Sequence, residues 1–318
     1  MLDPKYFPID RGVYEVGPGL KNLGTDLGQG EFDKKVFQID SQFQIARDNK
    51  ILCLKEDPAK YVLRHDLPEH GEAKVARTIL NLFLIEYPEK FNLKDGRLDC
   101  LHTGDVIRFD ANDRLVSFES RIATPKPSTL LDALMLQVQE DLAITRRTDP
   151  ETDFLAYLHL CSASHWSPAE KIGRNFIKVH ETIPGNDKLV KASKNLVEAM
   201  INKGPFVRFV WSFVTDTRLN HHPEPPPGQD PVAWKGRSFN HGSENPFFLR
   251  VERQVTFGVP EESLSIFTIR VSFIPGTEIK SDPKWREQMR SALLSMTPES
   301  RVYKGVAGCF EELIQFLS

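Results

Sequence analysis

The chain has 318 residues, with 41 basic and 44 acidic side chains and a formal net charge of −3. This length suffices for one large domain or two ordinary ones, and the near balance of charge disfavours nucleic acid and anionic membranes as partners. We expect a soluble, cytoplasmic protein, because the sequence shows no signal-like start and no apolar segment of transmembrane length. The four cysteines form no CxxC pair, so neither a disulfide framework nor a structural zinc site is indicated.

The first third of the chain has an α+β pattern. Residues 36–55 alternate apolar and polar side chains, which predicts two strands. Residues 72–91 place Val75, Ile79 and Phe83 on one face of a predicted helix. A second helix is predicted after Ser128, over residues 130–147.

The rest of the chain predicts strands with helices between and after them. Strands are predicted at 154–163 and 205–217, with a helix at 187–204 between them, and two helices are predicted at 282–296 and 298–317. The proline-rich stretch 221–231 is typical of an exposed loop, and its histidines His221 and His222 are expected to be solvated. The pattern indicates an α+β fold in which helices pack on an antiparallel sheet.

Residues 245–273 predict a β-hairpin with an unusual charge pattern. With a period of two, Arg253 shares a face with apolar residues of the first strand, whereas Arg250 and Glu252 lie on the other face. Arg270 shares an apolar face of the second strand in the same way. A guanidinium in that setting needs an anionic partner, which could be a protein carboxylate in a structural ion pair, a substrate acid or a haem propionate.

His180 is expected near the end of a helix that begins at Pro168. Ser167 and Glu170 form a capping box at its start, and Pro184 ends the pattern by about residue 181. His180 then lies on the apolar face, where its ring could be a neutral axial ligand of haem iron or a core residue bonded to a backbone carbonyl.

Other candidate residues give weaker signals. His159 and Cys161 share one face of a strand and could meet a metal, but no nearby carboxylate completes a recognised zinc spacing, so we interpret both as core residues. The glycine-rich segments lack the GxGxxG spacing of a dinucleotide site.

Several motifs in order resemble the family of haem-dependent oxidative N-demethylases, alpha-subunit-like. They are LQVQEDL at 136–142, CSASHWSPAEKIGRNFIKVHETIPG at 161–185, NPFFLRVERQ at 245–254, FTIRV at 267–271 and YKG at 303–305. The similarity extends from about residue 36 to the end of the chain.

This resemblance implies a single domain with a PAS-like antiparallel sheet that binds a b-type haem. The PAS-like core would span about residues 126–280, after an α+β part at about 1–125 and before helices at 281–318. The implied activity is that of a monooxygenase that removes a methyl group from a small amine as formaldehyde. Its electrons would come from NAD(P)H through a separate flavin and iron-sulfur reductase.

The motif positions imply roles for five residues. His180 would be the iron ligand, and Arg250 and Arg253 would bind the haem. Glu252 would bind the ammonium group or accept a proton, and Arg270 would act with it in catalysis.

The sequence also departs from the family pattern as we expect it. Val210 stands where the strand Arg208–Trp211 should carry an asparagine, which puts the substrate in doubt. A haem-binding PAS-type sensor without turnover is therefore an alternative. A haem-free protein that binds a carboxylate ligand is another.

Overall fold

A computed structural model of the protein describes residues 3–318. Its strands are β1 (Lys21–Asn22), β2 (Val62–Arg64), β3 (Phe91–Lys94), β4 (Arg97–Cys100), β5 (Asp105–Phe109), β6 (Leu115–Glu119), β7 (Asp141–Asp149), β8 (Thr152–His159), β9 (Phe206–Val214), β10 (Phe248–Val259) and β11 (Leu264–Pro275). Its α-helices are α1 (Phe43–Glu56), α2 (Pro58–Tyr61), α3 (Glu69–Glu86), α4 (Leu130–Met135), α5 (Pro168–Lys171), α6 (Phe176–His180), α7 (Asp187–Asn202), α8 (Pro231–Lys235), α9 (Gly276–Ser281), α10 (Pro283–Leu294), α11 (Pro298–Lys304) and α12 (Phe310–Phe316).

Two antiparallel sheets form the framework. The larger has seven strands in the order β1-β9-β10-β11-β7-β8-β2, and the smaller is the meander β3-β4-β5-β6. The predicted α+β class, with helices on an antiparallel sheet, is confirmed.

The two faces of the large sheet are covered differently. One face, which we call the far face, packs β10 residues such as Val251 and Val255 against α3 and against the C-terminal helices. The opposite face, the near face, carries α7. A Cβ at Gly258 of β10 would lie only 1.7 Å from the carbonyl oxygen of Ile201, so this glycine is what allows α7 to lie directly on the strand.

The predicted strands at 36–55 are wrong, because most of this segment is helix α1. Its buried positions include Phe43, Arg47, Lys50 and Ile51, a helical spacing that is hidden in the sequence because two of the four are cations. Arg47 is buried in an ion pair with Asp105, at 2.7 Å.

The predicted helix at 130–147 ends early. Thr129, rather than Ser128, caps α4, and the chain then turns into β7, which pairs with both β8 and β11. A strand with buried residues on both faces has a continuous apolar run, which cannot be distinguished from a buried helix by periodicity.

Two further helices are interrupted where a glycine adopts a left-handed conformation. The predicted helix from Pro168 has its capping box but divides into α5 and α6 around Gly173, which has φ +73°. Gly305, with φ +77°, likewise ends α11 before α12 begins. The helices predicted at 72–91, 187–204 and 282–296 and the strands predicted at 154–163 and 205–217 are confirmed as α3, α7, α10, β8 and β9.

The proline-rich segment is irregular, as predicted, but its histidines are not solvated. His221 and His222 are both buried, and the ring of His221 lies 3.0 Å from the carboxylate of Asp216.

None of the helices within residues 3–318 is both long and apolar enough to cross a bilayer. The division of the chain near residues 125 and 280 stays a prediction.

Candidate functional site

The hairpin β10–β11 separates its arginines between the two faces of the sheet. Arg253 lies opposite Arg270 in the register, and both share the far face with Val255. Arg250 and Glu252 point to the near face, so the alternation predicted from the sequence is confirmed.

On the far face, Arg253 and Arg270 are bound by oxygen atoms of the protein itself. Arg253 donates to the carbonyl oxygens of Lys35 and Val36, at 2.6 and 3.1 Å. Arg270 forms an ion pair with Asp40, and both side chains are almost fully buried. The terminal nitrogens of Arg253 and Arg270 thus have partners within the protein, whereas the Nε atoms of both arginines are buried without one among the described residues.

On the near face, α6 positions His180. Asn175 caps this short helix by accepting the backbone N–H of Lys178, at 2.9 Å. Phe176 packs on α7 against Val197 and Met200, which holds α6 above the sheet.

The ring of His180 is oriented by its own helix. Its Nδ1 atom lies 2.7 Å from the carbonyl oxygen of Phe176, so Nδ1–H donates and Nε2 is the unprotonated nitrogen. Burial lowers the pKa of His180 to about 4, with a smaller contribution from the positive charge of Arg208. The ring is therefore neutral at physiological pH, and its Nε2 lone pair can bind a metal ion.

Arg208, which lies near this histidine, and Arg237, which lies near Tyr303 and Lys304, have no hydrogen-bond partner within the described chain. Neither Arg208 of β9 nor Arg237 donates a hydrogen bond to another residue among 3–318, and the Nε atom of each is buried. Burial lowers the pKa of both guanidinium groups. An unpartnered buried cation indicates a place where an anion binds.

Tyr303 and Lys304, at the end of α11, belong to the same charged group. Lys304 donates to the carbonyl oxygen of Trp211 at the open edge of β9, and burial lowers its pKa to about 8. Tyr303 lies close enough to Arg208 and Arg237 for a charge on its side chain to raise the pKa of both. We call Arg208, Arg237, Glu252, Tyr303 and Lys304 the near-face cluster.

Glu252 is the carboxylate of this cluster. Gln254 donates to it at 3.0 Å, and the Nε atom of Arg250 lies 3.6 Å from its other oxygen. Arg250 is fully buried and also donates to the carbonyl oxygens of Leu219 and Ser162, at 2.9 and 2.5 Å. Arg250 is thus a support that positions Glu252, whose side chain remains 14% exposed.

An apolar wall continues the near face across β11. Ile269 and Val271 of this strand pack with Phe267, Leu160 and Trp166, and several of these side chains remain partly exposed. Flat aromatic and aliphatic surfaces of this kind are what a porphyrin ring contacts in proteins.

Two concavities of the structure lie away from His180. One, of about 390 Å³, lies among the C-terminal helices beside Arg301 and Phe310. The other, of about 280 Å³, lies between the N-terminal segment and Phe209. The donor atoms and charges of the near face are the evidence for a ligand there.

Comparison with protein families gives a match over most of the chain. The family model described as haem-dependent oxidative N-demethylase, alpha subunit-like, matches residues 30–314. The chain belongs to this family. The match covers every residue of the near-face cluster and also His180.

The structure brings together only some of the residues predicted from the sequence. His180, Arg250 and Glu252 lie on the near face, and Arg253 and Arg270 lie on the far face. Sequence reasoning missed Arg237 and gave no role to Arg208 or Lys304. The available signals were the strand parity of Arg208 and the YKG motif at 303–305.

Proposed function

We propose that the protein is a haem-dependent monooxygenase that demethylates a small methylated amine and releases formaldehyde. The observation that carries this proposal is the arrangement of His180, whose Nδ1 donates to Phe176 while its neutral ring leaves Nε2 free. Haem-binding histidines are oriented by such a hydrogen bond. Membership of the N-demethylase family supplies the class of reaction.

The order of the strands supports a PAS-like core. If β7 to β11 are numbered from one to five in chain order, their order across the sheet is 2-1-5-4-3. This is the order of a PAS sheet, and the helices between its second and third strands, α5 to α7, include His180.

The residues of the near face fit a b-type haem. His180 would bind the iron through Nε2, and Arg208 and Arg237 would pair with the two propionates, which need cationic donors. The apolar wall at Ile269 and Val271 would contact the porphyrin. When bound, haem supplies the reductive activation of dioxygen that oxidises an N-methyl carbon.

The charged side chains of the near face indicate what the polypeptide itself would contribute to the reaction. Glu252 would bind the ammonium group of the substrate or accept its proton, and Gln254 and Arg250 hold its two oxygens in place. Arg208 and Lys304 are cationic neighbours of this carboxylate.

The far-face arginines fit structural roles better. The predicted haem contact of Arg253 and the predicted catalytic role of Arg270 would require side chains that leave Lys35, Val36 and Asp40 and cross the sheet. We therefore assign them to holding residues 35–40 against the sheet. Electrons would come from NAD(P)H through a separate flavin and iron-sulfur reductase, and the proposed location is the cytoplasm.

One observation favours a second candidate, a haem-based gas sensor without turnover. Val210 lies directly opposite Glu252 in the register, where the family pattern places an amide side chain. An apolar neighbour removes a donor that could position oxygen or the amine.

Formaldehyde production separates the two candidates. Purified, haem-replete protein is mixed in air with NADPH, a flavin and iron-sulfur reductase and a panel of secondary and tertiary methylamines. The monooxygenase proposal predicts formaldehyde and substrate-dependent oxygen uptake, both abolished in His180→Ala. A full haem complement with a stable dioxygen complex and no formaldehyde from any amine would instead identify a sensor.

A further inference from the structure

A second cluster of potential ligands lies away from His180, where β7 begins and β8 ends. Asp141 is the first residue of β7, His159 is the last residue of β8, and Cys161 follows two residues later. Because Leu142 pairs with His159, the antiparallel register brings all three side chains to the same end of the two strands. All three are fully buried.

Their donor atoms are close enough to share one ion. One ligand atom from each residue lies within 4.8 Å of the others. The sulfur of Cys161 lies 3.9 Å from Nδ1 of His159. A sulfur and a nitrogen bound to one tetrahedral zinc ion are about 3.6 Å apart, so a small side-chain adjustment suffices.

The hydrogen bonding of the cluster is incomplete within the part of the chain that the structure describes. Asp141 accepts the N–H of Ser162 at 2.5 Å through Oδ2, whereas its Oδ1 has no partner. Nε2 of His159 also lacks a partner among these residues. Buried polar atoms of a native protein are normally satisfied, so the unpartnered Oδ1 of Asp141 indicates a missing ligand, which would bind His159 through Nδ1, the nitrogen that faces Cys161.

Neighbouring groups are committed to other partners. Lys50 uses its three hydrogens on the carbonyl oxygens of Met135, Val138 and Glu140, and therefore contributes charge rather than a hydrogen bond. The thiol of Cys53 contacts the carbonyl oxygen of Cys161 and the amide of Asn220, and Cys53 lies outside the group of three residues whose ligand atoms are close together.

We propose that Asp141, His159 and Cys161 form a zinc site that is independent of the haem. One carboxylate, one imidazole and one thiolate are a ligand set that zinc prefers, with water in the fourth position. Binding displaces the thiol proton to solvent and involves no redox change. The ion would join the ends of β7 and β8 beneath α1.

The test is the zinc content and coordination of the intact, haem-replete protein. After expression with added zinc, elemental analysis should find one zinc ion per chain. Zinc-edge X-ray absorption should find a single sulfur at about 2.3 Å, with the remaining ligands nitrogen or oxygen. Haem iron does not interfere at this absorption edge.

Variants locate the ion. Cys161→Ser should remove the sulfur signal, and Asp141→Asn should reduce the zinc content severalfold, while the matched control Cys309→Ser, a buried thiol in the C-terminal cluster, should retain both. The proposal is overturned if the wild-type protein neither contains zinc nor takes it up on titration with zinc sulfate, which would leave water as the occupant. It is also overturned if the sulfur signal survives in Cys161→Ser. If neither variant folds, the count of one sulfur in the wild-type spectrum decides, since zero or two sulfurs contradicts this ligand set.

Discussion

Both faces of the large sheet carry arginines, but these differ in whether the protein supplies their hydrogen-bond partners. On the far face, Arg253 and Arg270 donate to backbone carbonyls and to Asp40. In the near-face cluster, Arg208 and Arg237 have no such partners within residues 3–318, and Arg208 lies close to a neutral, oriented histidine. The position of an arginine in a strand thus does not indicate its role; its partners do.

The difference has an energetic reason. A buried guanidinium is stable only when its donors meet oxygen atoms, and the folded chain supplies these to Arg253 and Arg270 and, on the near face, to Arg250, but not to Arg208 or Arg237. Arg208 and Arg237 are left for a ligand, and the two propionates of a haem would supply the missing negative charge.

The largest expected effect is on the far face. Arg270→Met should lower the free energy of unfolding by about 3–5 kcal/mol, because it leaves Asp40 buried without its counter-ion. Chemical denaturation measures this loss. In the double variant with Asp40→Asn the loss should be smaller than the sum of the single variants, and the haem affinity of the folded protein should not change. A large drop in haem affinity in folded Arg270→Met would contradict the structural assignment.

The contribution of the near-face residue His180 to stability should depend on pH. The pKa of His180 is about 4 in the folded protein, below the ordinary value of 6.5, so the unfolded chain binds a proton first as pH falls. Stability from this residue is complete above pH 6.5 and decreases as pH falls towards 4, by up to about 3 kcal/mol. Denaturation of haem-free protein across this window should show a shallower decrease for His180→Gln than for wild type. Identical slopes would place His180 in an open environment.

Removal of a near-face cation should weaken haem binding without lowering the stability of the fold. Arg208→Met should weaken haem binding about 10- to 100-fold, the range expected for loss of a charged hydrogen bond of about 1.5–3 kcal/mol. The free energy of unfolding of the haem-free protein should stay constant or rise, because an unpaired buried charge is removed. Haem titration measures the first effect, with the half-exposed Arg174→Met as the matched control. Unchanged haem affinity together with lost stability would make Arg208 a structural residue.

The smallest effect should appear at Glu252. Glu252→Gln keeps the shape of the side chain but removes the charge that binds an ammonium group. It should lower kcat/KM for a cationic methylamine about tenfold, which corresponds to about 1.4 kcal/mol. Haem content should not change, and Glu261→Gln in the exposed hairpin turn serves as the control. Equal loss in both variants would exclude a substrate contact.

Much of the fold could be predicted from local patterns. The strands β8 to β11 and the helices α3, α7 and α10 have clear periodicity or capping residues. Helix α1 could not be predicted, because Arg47 and Lys50 occupy its buried face and find their partners, Asp105 and the carbonyls after α4, far along the chain.

The site was predictable only in part, for a similar reason. The alternation of side chains along the strand predicted that Arg250 and Arg253 lie on opposite faces of the sheet. The local sequence does not indicate which of these faces lies next to His180. The choice depends on α7 packing at Gly258. Asp141 was likewise hidden inside a predicted helix, so its approach to His159 and Cys161 could not be anticipated.

The central claim, that His180 binds haem iron through Nε2, is tested most directly by resonance Raman spectroscopy of the reduced protein. Wild-type protein should show an iron–histidine stretching band, which should disappear in His180→Gly and return when free imidazole is added. An iron–histidine band that persists unchanged in His180→Gly, or wild-type protein that binds no haem when it is supplied, would contradict the account.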